Sequence, residues 1–165
     1  GPVQLSAPLG VQVTHVQTAQ EMHQVASEAF EIADIGVATA AVADYRAKSQ
    51  SEVKLHRDEM PPAIELLENP DILADWGKAK KKGQILVGFA LETDDGVESA
   101  KAKLKRKNLD LIVLNSTVNP GAGFGTDTNQ VSIFERGGKS HIFGLKTKAE
   151  VARDIVHLII THLPQ

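Results

Sequence analysis

The sequence contains no cysteine, which excludes several kinds of chemistry at once. Disulfides, thiolate nucleophiles and cysteine-ligated metal sites are all absent from this chain of 165 residues. No apolar run approaches the roughly 20 residues that a membrane-spanning helix needs. No basic-then-apolar signal peptide opens the sequence either. We therefore expect a cytoplasmic protein.

Motifs for phosphate and metal binding are also scarce. No P-loop sequence occurs, and the one glycine-rich stretch, residues 121–125, precedes a hairpin pattern. A dinucleotide fingerprint needs those glycines between a strand and a helix. The six histidines do not pair with carboxylates at recognised metal-ligand spacing, so we expect no metal site built from protein ligands alone. The formal net charge of -3 gives no reason for broad attraction to nucleic acid or membranes.

The residues that are present predict a single α/β domain over residues 1–165. Hydrophobic residues make up 42% and charged residues 24%, as in ordinary globular proteins. Continuous apolar runs at 34–40, 85–91 and 109–114 alternate with amphipathic segments at 19–30, 69–83 and 96–107. That alternation indicates a parallel sheet covered by helices on both faces. We expect a Rossmann-like, mostly parallel sheet with flanking helices and a C-terminal β-hairpin.

Shorter signals complete the prediction. Thr18 and Glu21 form a capping-box pattern at the start of the first helix. Residues 11–16 alternate apolar and polar side chains, which predicts a half-buried strand. Residues 64–67 predict a brief strand, and the charged residues 49–60 predict a mobile loop. The hairpin turns at two adjacent glycines between residues 130–136 and 139–145, and a last helix follows at about 147–161.

The end of the first buried strand is a candidate site. Small side chains at Ala38, Thr39 and Ala40 let a ligand approach the backbone, and Asp44 and Arg46 follow shortly after. In open α/β sheets, ligands bind just outside the carboxyl ends of the strands. The alternative is a solvated loop that happens to carry charges.

A helix start supplies a second candidate site, for an anion or a ribose. Pro70 and Asp71 stand in the predicted first turn, where free N–H groups and the positive end of the helix dipole converge. Asp71 at that position could equally compensate the helix dipole without any ligand.

Two sets of basic residues could bind phosphates. Lys103 and Lys107 are four residues apart, so they share one face of a helix and suit a triphosphate. They could equally belong to a solvated basic face near a helix C-terminus. Lys54, His56 and Arg57 lie in the predicted loop, which could close over phosphates or be an ordinary surface loop.

Taken together and in order, these segments resemble the phosphopantothenoylcysteine synthetase domain of bacterial coenzyme A biosynthesis, which is often fused behind a flavin-dependent decarboxylase. Each match is weak alone, but their common order is specific and spans nearly the whole chain. The matching segments are residues 1–3, 18–22, 40–46, Lys54, 69–73, 88–93, 103–110, and 123–124 with Asp127 and Asn129.

The resemblance implies a ligase that joins 4'-phosphopantothenate to L-cysteine through an amide. CTP would activate the carboxylate as an acyl-cytidylate with loss of pyrophosphate, and the cysteine amine would then displace CMP. Mg²⁺ would accompany the nucleotide. FMN would be involved only if a fused decarboxylase domain existed outside this chain. The resemblance also implies a homodimer in which strand-end and hairpin segments are exchanged.

Roles for individual residues follow from the same resemblance. Lys54 matches the basic flap lysine that favours acyl-cytidylate formation, by stabilising charge that develops on the phosphorus oxygens. Asp44 would face the phosphate region of the nucleotide, through a cation. The implied nucleotide-binding positions are Ala38, Thr39, Ala40, Asp44, Pro70, Asp71, Ile72, Leu73, Phe89, Lys103 and Lys107.

Two departures from the family pattern qualify this reading. The pattern begins with a further strand, a glycine-rich turn and an Arg/Asn/Ser-Ser-Gly segment that are not found here, so we expect the first β-α unit to be missing and the acyl substrate site to be incomplete. The flap has His56 and Arg57 where the family usually has more lysines. The alternative functions are an NAD(P)-binding reductase domain and a non-catalytic nucleotide-binding or assembly module.

Overall fold

The structure, a computed structural model, describes residues 6–49, 53, 63–92, 96–116 and 126–163. Its helices are α1 (Ala19–Phe30), α2 (Ile72–Ala79), α3 (Gly96–Arg106) and α4 (Lys148–His162). Its strands are β1 (Ile35–Ala38), β2 (Tyr45–Ala47), β3 (Leu66–Glu68), β4 (Ile85–Glu92), β5 (Leu111–Ser116), β6 (Thr128–Asn129), β7 (Val131–Glu135), β8 (Ser140–Ile142) and β9 (Lys146–Thr147).

Five strands form the central sheet in the order β1-β4-β5-β7-β8. The first three are parallel, so their carboxyl ends meet at one edge, which we call the carboxyl edge. β7 runs antiparallel to β5, and β8 completes a hairpin whose turn contains Gly138 at φ 89°. Antiparallel pairs β2–β3 and β6–β9 lie outside this sheet. The predicted α/β class and the predicted C-terminal hairpin are confirmed.

Apolar side chains cover both faces of the sheet. Along β4, Ile85 and Val87 join the core beneath α4, whereas Leu86 and Ala90 join the core beneath α1, α2 and α3. Alternate side chains of a strand point to opposite faces, so a strand buried on both sides reads as a continuous apolar run. Gly88 interrupts the run because a Cβ there would lie 2.8 Å from the Leu73 side chain.

The helix starts are fixed by local side chains. Thr18 accepts from the backbone N–H of Glu21 at 3.1 Å, and the Glu21 carboxylate accepts from the backbone N–H of Thr18 at 3.2 Å. This is the predicted capping box, and α1 begins and ends as expected. Thr147 and Glu150 form a second capping box at the start of α4.

Several predicted boundaries were wrong. Residues 11–16 are not a strand, and Val11 and Val13 are 56% and 49% exposed, because no described strand lies beside them to pair with. Pro70 lies outside α2 rather than in its first turn, since Asp71 is the N-cap. α3 ends at Arg106, so Lys107 follows the helix. The predicted loop lies almost entirely outside the described residues. No described helix is long and apolar enough to cross a membrane.

Candidate functional site

The carboxyl end of β1 opens onto the carboxyl edge. Ala38, the last residue of β1, aligns with Gly88 in the middle of β4, so β4 continues beyond the point where β1 stops. Ala38 is half-buried, and Thr39 and Ala40 are exposed where the chain leaves the sheet. This step between two parallel strands leaves the small residues after β1 accessible.

Asn69 ties the segment after β1 to the start of α2. Its side-chain Nδ2 donates to the Ala43 carbonyl at 2.8 Å, and its backbone N–H donates to the Asp44 carbonyl at 2.8 Å. The Arg46 guanidinium donates to Asn69 Oδ1 at 3.2 Å and to the Glu68 carbonyl. Arg46 therefore holds backbone in place. The exposed Asp44 carboxylate makes no ion pair with any described residue.

Asn69 is the residue that sequence reasoning underrated. It makes hydrogen bonds through its backbone and its side chain to residues 25 or 26 positions earlier in the chain, and no sequence pattern predicts these bonds. The only signal was its place directly before Pro70 and Asp71. A side-chain amide carries both donors and an acceptor, so it can join two loops at once.

Asp71 is the N-cap of α2 and also pairs with a lysine. Its Oδ1 accepts from the Ala74 backbone N–H at 3.0 Å, and the Lys107 ammonium lies 2.8 Å from its Oδ2. Burial alone would raise the pKa of the Asp71 carboxyl. The hydrogen bonds from Lys107 and Ala74, with the lysine's charge, outweigh burial and hold that pKa below its ordinary value.

The backbone around Lys107 is fixed against α2. Asn108, at φ 54°, donates from Nδ2 to the Gly77 carbonyl at 2.6 Å. A Cβ on Gly77 would lie 1.9 Å from the Lys107 carbonyl oxygen, so the two backbones touch. The Lys107 N–H also donates to the Lys103 carbonyl at 2.9 Å. Although Lys107 lies past the end of the helix, it keeps the predicted one-turn relationship to Lys103.

Two of the predicted nucleotide-binding residues, Leu73 and Phe89, lie on opposite faces of the sheet. Leu73 packs against the core beneath α1, α2 and α3, and Phe89 packs against the core beneath α4. A ligand could meet both only by lying across the end of the sheet. Pro70 and Ile72 are half-buried beside Asp71. Lys54 and residues 121–125 lie outside the described residues.

A metal site built from protein ligands alone needs several ligating side chains close together. Among the described residues, no three side chains of histidine, aspartate or glutamate form a cluster that could hold a metal ion. The exposed Asp44 carboxylate lies after β1 at the carboxyl edge. A cation there would need most of its ligands from a bound molecule.

A mixed sheet with a parallel core and helices on both faces defines a protein of the α/β class. The family model for the DNA/pantothenate metabolism flavoprotein C-terminal domain matches residues 1–163, and the chain belongs to this family. The resemblance drawn from the sequence is thereby confirmed at the level of the family.

Two curated relatives illustrate the similarity. The chain is 48% identical over 162 residues to a protein called Cysteine/Cysteine sulfinic acid decarboxylase, from an unknown prokaryotic organism, covering 98% of this chain and 45% of that protein. It is 41% identical over 160 residues to the Coenzyme A biosynthesis bifunctional protein CoaBC of Bacillus subtilis (strain 168), covering 96% of this chain and 39% of CoaBC. The chain thus spans less than half the length of either relative.

Solved structures agree with this placement. The crystal structure of the C-terminal domain of CoaBC superposes with a TM-score of 0.76 at 37% identity, covering 96% of this chain and 69% of that one. A Cab2 mutant in complex with phosphopantothenate-cysteine has a TM-score of 0.52 at 19% identity, covering 74% and 42% of the two chains. The second likeness concerns the fold alone.

Proposed function

We propose that this chain is the nucleotide-binding part of a ligase that joins 4'-phosphopantothenate to L-cysteine in coenzyme A biosynthesis. Membership of the family and the 37–41% identity to CoaBC and its C-terminal domain support this function. The observation that carries the proposal is the meeting of three features at the carboxyl edge: the step after β1, the Asp44 segment held by Asn69, and the start of α2 with its lysine.

The nucleotide would lie across this edge. Ala38, Thr39 and Ala40 allow close approach because their side chains are small, and exposed backbone there can bond to a ligand. The base would lie between the start of α2, from Pro70 to Leu73, and Phe89.

The triphosphate would lie toward Lys103 and Lys107, whose ammonium groups act as point charges. Lys107 already bonds to Asp71, so the carboxylate would fix the ammonium in place before the nucleotide arrives. An oriented lysine loses less side-chain freedom on binding a phosphate than a free one does. Asp71 would therefore act on the triphosphate indirectly.

The reaction would proceed in two steps. The phosphopantothenate carboxylate attacks the α-phosphorus of CTP, which forms an acyl-cytidylate and releases pyrophosphate. The cysteine amine then attacks the acyl carbon, which forms the amide and releases CMP. Lys54 would stabilise negative charge on the phosphorus oxygens during the first step. Mg²⁺ would be bound chiefly by the triphosphate, with the Asp44 carboxylate facing it.

A homodimer is part of the proposal, and the β2–β3 ribbon supports it. This two-stranded ribbon lies outside the central sheet, and its apolar side chains face solvent. Tyr45, Leu66 and Leu67 are 56%, 58% and 39% exposed, and Ile64 just before the ribbon is 72% exposed. An isolated two-stranded sheet is marginally stable, so a second copy of the ribbon would cover these side chains and stabilise both.

The name of the 48% identical relative suggests a second candidate activity, decarboxylation of cysteine or cysteine sulfinate. This chain covers only 45% of that protein, so the decarboxylase activity could belong to the remainder. Carbon dioxide release from either compound by this chain alone would favour decarboxylation. Pyrophosphate release without carbon dioxide release would favour the ligase.

Pyrophosphate release is the direct test of the ligase. A longer chain, extended at the N-terminus by the family's first β-α unit, is mixed with CTP, 4'-phosphopantothenate and cysteine, and pyrophosphate and CMP are measured. We expect both products, with CMP requiring cysteine and with less of each when ATP replaces CTP. A Lys54→Ala variant should lower the rate of pyrophosphate release by about 100-fold or more. Lys82→Ala, which alters an exposed lysine at the other end of the sheet, should not change it.

A further inference from the structure

A cavity of about 500 Å³ opens between α3 and the β7–β8 hairpin. Two core side chains, Leu104 and Phe134, form its floor and are 7% and 5% exposed. The basic residues around it are Lys101, Lys105, Arg136 and Lys139. Small-molecule sites commonly have volumes of roughly 300–1,000 Å³, with apolar walls and a few polar groups. The cavity therefore has the size and the lining of a ligand site.

The cavity lies far along the sheet from the carboxyl edge. Phe134 is aligned with Ile112 near the amino end of β5, whereas the proposed nucleotide site lies beyond the carboxyl ends of β1 and β4. The lysines in and just after α3 also contact two different parts of the molecule, the start of α2 and the cavity. Lys107, just past the helix, reaches Asp71, and Lys101 lies 5.6 Å from the centre of the Phe134 ring.

Positive charge at the cavity is only partly balanced. Lys101 lies 3.4 Å from the Glu98 carboxylate, and Arg136 lies 3.5 Å from the Asp110 carboxylate. Arg136 also donates from Nε to the Leu109 carbonyl at 2.9 Å, so its position is fixed. By contrast, Lys105 and Lys139 form no ion pair with any described residue.

The one carboxylate among the lining residues is directed elsewhere. Glu135 Oε1 lies 2.5 Å from His141 Nε2, and its Oε2 lies 3.2 Å from His162 Nε2 on α4. The charge of Lys139 also helps to lower the Glu135 pKa, so this carboxylate balances part of the positive charge at the cavity. The cavity accordingly combines an apolar floor with a net positive rim, since four basic residues and one carboxylate line it.

We propose that this cavity binds a small anionic molecule with a flat apolar body, such as an aromatic phosphate. The body packs against Leu104 and Phe134 beside the Lys101 ammonium, and the anionic group lies between Lys105 and Lys139. An uncharged apolar molecule lacks the electrostatic attraction to the lysines, and a bare anion lacks the apolar contact with the floor. Recognition therefore requires both parts of the ligand.

A titration with 1-naphthyl phosphate tests the proposal on this chain. We expect saturable binding at one site, with the largest amide shifts in ¹⁵N spectra at residues 134–140 and no displacement by CTP. Inorganic phosphate and 1-naphthalenemethanol should each bind at least about tenfold more weakly, because each lacks one of the two contacts. Equal binding of inorganic phosphate, or shifts confined to residues 38–44, would overturn the proposal. Because CTP is a separate probe, failure here leaves the ligase test unaffected.

Two variants with matched controls locate the ligand. Ser140 is aligned with Phe134 across the hairpin, so the indole of Ser140→Trp fills the cavity and should abolish binding. Ile142→Trp, two residues further on the same strand and outside the lining, should bind normally. The double variant Lys105→Ser with Lys139→Ser should bind about tenfold more weakly.

The control for the lysine pair is Lys148→Ser on α4, which should leave binding unchanged. Thermal unfolding of each variant checks that it folds. Normal binding by a folded Ser140→Trp, or an equal loss in Lys148→Ser, would rule the cavity out as the binding site.

Discussion

The Lys107 ammonium lies 2.8 Å from the Asp71 carboxylate, and this pair joins the end of α3 to the start of α2 across 36 positions of sequence. Only 19% of the Lys107 side chain is exposed, against 50% for Asp71. The same carboxylate caps α2 through the Ala74 N–H. One side chain thus fixes both a helix end and the lysine proposed to meet a triphosphate.

The two roles of Asp71 can be separated by substitution. Asp71→Ala removes cap and ion pair, and should lower the free energy of unfolding by about 1–2 kcal/mol. Asp71→Asn keeps a capping oxygen and loses only the charge, so its cost should be about 0.5 kcal/mol. Urea unfolding of both variants measures the difference. Equal losses would mean that the cap contributes nothing.

Close contact between α2 and the turn after α3 predicts that Gly77 cannot be replaced. Gly77→Ala should destabilise the fold by about 2–3 kcal/mol, since the methyl group would meet the Lys107 carbonyl oxygen at 1.9 Å. This loss should appear even though alanine favours helices over glycine by about 1 kcal/mol.

The control for that prediction is Gly137→Ala in the hairpin turn. No heavy atom lies within 4 Å of a Cβ built there, and Gly137 does not have a positive φ. Its unfolding free energy should change by no more than about 0.5 kcal/mol. Thermal or urea unfolding compares Gly77→Ala with Gly137→Ala. Equal stability of the two variants would contradict the close contact between Gly77 and the Lys107 carbonyl.

Glu135 gives the protein a predictable response to acid. The hydrogen bond with His141 is the largest cause holding the Glu135 pKa below its ordinary value. Burial opposes it, and the nearby His162 and Lys139 add to the lowering. The unfolded chain therefore binds this proton more readily than the folded one. The resulting stability is present above the ordinary glutamate pKa and is lost as pH falls through the lower, folded value.

Unfolding free energies of the native chain and Glu135→Gln, measured between about pH 6 and pH 3, test this response. Stability of the native chain should fall more steeply below about pH 4.5 than that of the variant. Parallel curves would show that Glu135 has no lowered pKa in the folded protein.

The exposed β2–β3 ribbon predicts how the proposed dimer can be broken. Leu66→Lys places a charge on the ribbon and should convert the dimer to a monomer in light scattering after size-exclusion chromatography. Ile32→Lys alters a side chain that is 90% exposed but lies outside the ribbon, and it should leave the dimer intact. A monomeric native chain would refute the dimer directly.

Local patterns predicted the fold well where neighbours in sequence determine it. The Thr18 capping box and the apolar period gave α1 its observed bounds, because the contacts that start the helix lie within four residues. The alternation of apolar and polar residues at 11–16 wrongly predicted a strand, because a strand also needs a partner strand and none is described there. Periodicity describes one segment and carries no information about its neighbour in the sheet.

The candidate site shows the same division. The small residues after β1 and the lysine pair were visible as patterns in the sequence. The bonds from Asn69 to Ala43 and from Lys107 to Asp71 were not, since they join residues 26 and 36 positions apart. Such contacts depend on how the helices pack on the sheet, which side-chain patterns alone do not determine.

The most direct test of the central claim is a calorimetric titration of this chain with CTP, ATP and NADH. The account predicts that CTP binds at one site, more tightly than ATP, and that NADH does not bind. Lys103→Ala should weaken CTP binding by about tenfold or more. Lys82→Ala should leave CTP binding unchanged, because Lys82 lies before β4 at the opposite end of the sheet. NADH binding without CTP binding, or CTP affinity unaffected by Lys103→Ala, would contradict the proposed nucleotide site.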